Sequence, residues 1–115
     1  MNKDYIVYLQ HILEAIESIQ SYTKGLDADK FRKNKMAVDA VVRNLEIIGE
    51  ATKKLPAVVR NKYAQVEWKK IAGMRDILVH DYFGVDVEKV WNVVIHRLPD
   101  LKENITQIVE SVGAK

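Results

Sequence analysis

The stretch AVDAVVRNLEIIGEATKKLP, residues 37–56, carries two apolar rows rather than one. Val38, Val41, Val42, Leu45, Ile48 and Leu55 recur at three- and four-residue steps, the spacing that gathers side chains on one face of an α-helix. Ala37, Ala40, Ile47 and Ala51 form a second apolar face, which predicts a helix with neighbours on two sides and a central place in a bundle. Pro56 has no amide hydrogen for the helical ladder and ends the pattern.

Working outward toward the N-terminus, Tyr5, Tyr8, Ile12, Ala15, Ile16, Ile19 and Tyr22 lay one apolar stripe on a helix that ends near Gly25. Asp27 or Asp29 can cap a short turn through Phe31 and Asn34. Toward the C-terminus, residues 57–63 read as a short connecting helix. A third long helix is then predicted from Trp68 through IAGMRDILVHDY towards Gly84. Asp86 caps a fourth, with Val87, Val90, Trp91, Val94, Ile95 and Leu98 on its buried side. Pro99 kinks or restarts that helix, which continues through Leu101, Ile105, Ile108 and Val109. The β-branched residues fall on helical spacing and no tight hairpin dipeptide is present, so no strand is expected. The fold class is all-α, an up-and-down bundle of about four long helices plus short connecting ones. A length of 115 residues suits one domain, 1–115.

Composition narrows the function classes. With 48% hydrophobic and 30% charged residues the chain has the make-up of a globular protein, and no segment approaches the ~20 apolar residues of a membrane span. Acidic and polar residues interrupt the first two turns, so the apolar stretch of a signal peptide is missing and a cytoplasmic location is expected. The absence of cysteine excludes a disulfide framework, a thiolate metal site and a cysteine nucleophile. The formal charge of +2 is modest, but its distribution is uneven. Lys30, Arg32, Lys33, Lys35, Arg43, Lys53, Lys54, Arg60, Lys62 and Lys69 fall between Lys24 and Lys70, and acidic residues dominate from Asp76 onward. Such a run is either a solvated helix face or a surface for phosphates.

The segment GMRDILVHDYFG, residues 73–84, concentrates the reactive side chains. On a continuous helix Arg75 falls inside the apolar stripe of Trp68, Ile71, Ala72, Leu78, Val79 and Tyr82. A guanidinium placed there needs an anionic partner, which is either a carboxylate of the protein or a phosphate. His80, five positions on, lies about 140° around such a helix, so the two meet only if Arg75 reaches around or a second copy of the helix packs against the first. Asp76 and His80, four apart, become neighbours, with the carboxylate orienting the imidazole. A lone helix histidine is otherwise a surface or structural residue, and Tyr82 a core tyrosine with its hydroxyl at the rim.

On the central helix Arg43, Asn44, Glu46 and Glu50 form a polar group that lines a cleft, an interface or an ion-pair network. Glu46 and Glu50 at a four-residue step match half of a bundle di-metal site. No Glu-x-x-His partner accompanies them, and His11 and His96 are distant in sequence, so no metal is expected.

Arg75, four residues, His80, one residue and Tyr82 together resemble the motif of the HepT-like toxins in the HEPN superfamily. The likeness extends to RNLEIIGEATKKLP (43–56), to the 68–84 segment and to VDVEKVWNVVIHRLPDLK (85–102), in order and spacing, and so to nearly the whole chain. Asp76 stands where many members carry asparagine, which changes the charge offered to RNA. The resemblance implies a metal-independent endoribonuclease toxin of a type II toxin–antitoxin system. It implies a homodimer whose composite cleft takes Arg75 and His80 from both subunits, with no cofactor. Its partner is a nucleotidyltransferase antitoxin of the MNT type, and Tyr82 is the site where that partner attaches AMP. A non-catalytic module presenting substrate or nucleotide to a separate nucleotidyltransferase is the alternative, and a plain helical interaction domain is a third.

Overall fold

The first helix, α1 (Ile6–Thr23), buries Leu9, Ile12, Ala15, Ile16 and Ile19 along one face, as the spacing requires. Tyr5 belongs to this face at 6% exposure, whereas Tyr22 at 46% does not. Gly25, with φ of +80°, turns the chain in the left-handed region that a glycine enters without a Cβ clash. The computed structural model describes residues 4–74, 76, 79–80 and 84–113, with backbone alone at 79 and 80.

Asp27 caps α2 (Ala28–Lys33) by accepting from the Lys30 amide at 2.8 Å, and Asn34 caps α3 (Lys35–Lys53) by accepting from the Ala37 amide at 3.0 Å. Along α3, Val41, Leu45 and Ile48 are buried, and the helix packs on α1, on α2 and on two helices further along the chain. The predicted central position follows from these neighbours. Pro56 separates α3 from α4 (Ala57–Lys62), and α5 (Trp68–Ala72) follows, its Trp68 indole donating to the Tyr63 carbonyl at 3.0 Å.

Here the structure departs from the expected third long helix. α5 stops at Ala72. The Gly73 amide donates to the Lys69 carbonyl and the Asp76 amide to the Gly73 carbonyl, each at 3.1 Å, closing a turn. Residues Val79–His80 form β1, which pairs antiparallel with β2 (Gly84–Val85) in the register Val79 with Val85 and His80 with Gly84. Glycine in a helix interior costs about 1 kcal/mol relative to alanine, and Val79 is β-branched, so neither favours continuing the helix. The two-residue ladder, against the expectation of no strand, takes up the backbone groups instead; the fold remains all-α around it.

Asp86 caps α6 (Val87–His96) by accepting from the Lys89 amide at 3.2 Å. Val90 and Val94 are buried and Trp91 stacks on Phe31 with centroids 4.9 Å apart, but Ile95 is exposed rather than inward. The chain restarts at α7 (Leu98–Gly113) with Pro99 in its first turn, where a missing amide hydrogen costs no helical bond. Leu98, Leu101, Ile105, Ile108 and Val112 complete the core against α1 and α6. No helix among the described residues is long and apolar enough to cross a membrane.

Candidate active site

Gly49 sets the geometry from which the 73–84 segment departs. A Cβ on this residue would stand 3.3 Å from the Ala72 carbonyl oxygen and 3.5 Å from that of Ile71. The bare backbone of α3 therefore lets the last turn of α5 lie directly on it. That contact brings the end of α5 over the acidic face of α3. Glu46, Gly49, Glu50, Lys53, Ala72 and Asp76 line a cavity of about 400 Å³. Three carboxylates thus face one space, with the Lys53 ammonium 3.4 Å from Glu50 Oε1. Such a cavity favours a cationic occupant over an anionic one.

Ala72 and Asp76 border the cavity, and Arg75 lies between them in sequence. Arg75 and Tyr82 are outside the described residues. For His80 the structure gives the backbone, which is extended and paired with Gly84. The extended backbone removes the helical i, i+4 relation between Asp76 and His80, and with it the 140° separation of Arg75 and His80 expected on one straight helix. Of the α3 polar group, Glu46 and Glu50 line the cavity. Arg43 is exposed and outside it, and Asn44 is turned back on its own helix, donating from Nδ2 to the Ala40 carbonyl at 2.8 Å. Both stand more than one turn N-terminal of Gly49. Gly49 and Lys53 were not singled out by the motif reading; the four-residue step from Glu46 to Glu50 is the signal that points to the face they share. Among the described residues no group of three or more histidine or acidic side chains is arranged to hold a metal ion.

Two ion-pair groups hold the surrounding elements. Arg32 donates from Nε to Glu88 at 2.6 Å and from Nη1 to Asp29 at 2.7 Å, tying α2 to α6 and raising the guanidinium pKa through the Glu88 hydrogen bond first. Glu67, at the start of α5, stands 2.7 Å from Lys70 Nζ and 3.5 Å from Arg97 between α6 and α7. The Lys70 hydrogen bond, then its charge, holds the Glu67 carboxyl below its ordinary value.

Comparison with known proteins places these features. The chain is 51% identical over 97% of its length to a Methanocaldococcus jannaschii protein named "Gamma-glutamylcyclotransferase and putative RNase", of which it spans half. It is 41% identical to the "Probable ribonuclease HepT" of Thermococcus cleftensis, over 89% of this chain and 93% of that one. A solved structure of the Shewanella oneidensis HEPN toxin, tri-AMPylated and in complex with an MNT antitoxin, superposes with a TM-score of 0.63 at 25% identity, covering 100% of both chains. A family model described as ribonuclease HepT-like matches residues 12–108, a span that includes α3, the acidic cavity and positions 75, 80 and 82. The chain belongs to the ribonuclease HepT-like family, within the HEPN fold.

Proposed function

We propose that this chain is a metal-independent endoribonuclease, the toxin of a type II toxin–antitoxin system, acting in the cytoplasm as a homodimer of one-domain subunits. The observation that carries this reading is the family match across residues 12–108, together with an arginine and a histidine at positions 75 and 80 within it. The relatives named as ribonucleases support the reaction class.

The chemistry follows from the two side chains. His80 in its neutral form takes the proton from a ribose 2′-hydroxyl. The 2′-oxygen then forms a bond to phosphorus as the bond from phosphorus to the 5′-oxygen breaks. A second His80, from the other subunit and protonated, gives its proton to the departing 5′-oxygen. The products are a 2′,3′-cyclic phosphate and a 5′-hydroxyl. Arg75 grips the scissile phosphate and offsets the charge that builds on its oxygens. Glu46, Glu50 and Asp76 line the acidic cavity, with Asp76 next to Arg75 in sequence, and are assigned a supporting electrostatic role. End-group analysis of RNA cut by the wild type should find 2′,3′-cyclic phosphates. Arg75→Ala should cut at least a hundredfold more slowly, on the order of one lost transition-state charge contact. Products ending in 3′-hydroxyl and 5′-phosphate would contradict the route.

A nucleotidyltransferase antitoxin is the proposed partner, because the neighbouring solved toxin is AMPylated and bound to an MNT antitoxin. Tyr82 is the proposed acceptor, its phenolic oxygen bonding to the α-phosphorus of ATP with release of pyrophosphate. Added phosphates beside Arg75 and His80 repel the anionic substrate. Co-expression with such a nucleotidyltransferase should add AMP to the wild type and none to Tyr82→Phe; equal modification of both proteins removes Tyr82 from the scheme.

A further inference from the structure

A second, larger space of about 760 Å³ opens along α4, the turn after it and α5. Its apolar floor includes Ala57 and Val66, and its charges are Arg60, Lys69 and Lys70 against one carboxylate, Glu67. That carboxylate is already occupied by Lys70 at 2.7 Å and Arg97 at 3.5 Å. Arg60 and Lys69 have no ion-pair partner among the described residues, and Arg60 Nε is closed off from solvent without a hydrogen bond. A buried guanidinium donor lacking an acceptor is uncommon in folded proteins, and a bound ion is one of the ways such a group is satisfied. Oxygen-rich anions are the natural complement of an arginine fork and a lysine ammonium on one groove. α5 spans five residues, about 7.5 Å, and its far end opens residues 73–80. A strand lying in the groove therefore runs within a few nucleotides of that segment.

We propose that this groove is a phosphate-binding track for the RNA strand flanking the cut, with Arg60 and Lys69 on phosphodiesters and the apolar floor against bases. The inference rests on the ribonuclease reading but concerns residues outside its reacting set. Single-strand binding of this kind combines a charged groove with sequence-tolerant apolar contacts and depends steeply on salt.

The test measures the affinity of His80→Ala protein for a labelled single-stranded RNA across a salt series, with and without Arg60→Gln and Lys69→Gln together. Loss of two phosphate contacts should lower the slope of log affinity against log salt by about 1.4. Lys33→Gln, on α2 and outside the groove, should leave the slope unchanged, and the charge-preserving Lys69→Arg should retain it. Circular dichroism checks folding; if the double variant is unfolded, the exposed Lys69→Gln alone should lower the slope by about 0.7. An unchanged slope in a folded variant overturns the track, and if that variant also loses its protein antitoxin, the groove belongs to the protein partner instead. Wild-type cleavage separates the two readings. Cleaved RNA with an unchanged slope sinks the track alone, whereas a lowered slope without wild-type cleavage sinks the ribonuclease and the flanking role with it, leaving a groove that binds RNA.

Discussion

Gly49 is the residue on which the candidate site turns. Alanine there places a methyl 3.3 Å from the Ala72 carbonyl oxygen, a contact that costs a few tenths of an ångström of movement and is opposed by alanine's better helix propensity, about 1 kcal/mol. Valine has no such room. Gly49→Val should destabilise the protein by about 1–3 kcal/mol through overpacking, with Gly49→Ala losing less. Urea unfolding of the two variants checks the order, and RNA cleavage by Gly49→Val should fall further than its stability alone explains, because α5 and the segment after it are displaced together. Sequence spacing exposed part of this arrangement. Glu46 and Glu50 share a face because they are four residues apart, and a helix makes that legible. Asp76 joins them only because α5 packs on Gly49, and no local pattern encodes a meeting of residues far apart in the chain. Arg43 and Asn44 group with the glutamates by proximity along the chain, yet neither lines the cavity.

At the scale of elements, the apolar stripes of α1 and α3, the caps at Asp27 and Asp86, and the restart at Pro99 were readable, since each depends on contacts within a few residues. The interruption at Gly73 and the change to extended backbone by Val79 were not. Apolar residues continue at helical spacing through Tyr82, and the competing ladder joins Val79–His80 to Gly84–Val85 without a tight hairpin dipeptide to announce it. The junction between α5 and the α6–α7 corner carries a pH dependence. Glu67 has its folded pKa lowered by Lys70 and Arg97, so its contribution to stability is present above the ordinary value of 4.5 and is lost as pH falls through the lower folded value. Thermal unfolding of Glu67→Gln should therefore match wild type more closely at pH 3 than at pH 7, by a small margin because the pair is solvent-exposed. A gap that widens on acidification would contradict the assignment.

The whole molecule measures 46 × 30 × 20 Å, and its thinnest dimension is about two helix diameters. The helices bury one continuous core, and the acidic cavity at the end of α5 is small for a nucleotide chain. A second copy supplies the missing wall in the proposed homodimer, and two copies of Arg75 and His80 then share one groove. The most direct test incubates purified protein with mixed RNAs in excess chelator, comparing wild type with His80→Ala of matched circular dichroism. The account predicts that the wild type cleaves the RNA and that His80→Ala does not. Cleavage that requires added divalent metal, or undiminished cleavage by His80→Ala, would contradict it.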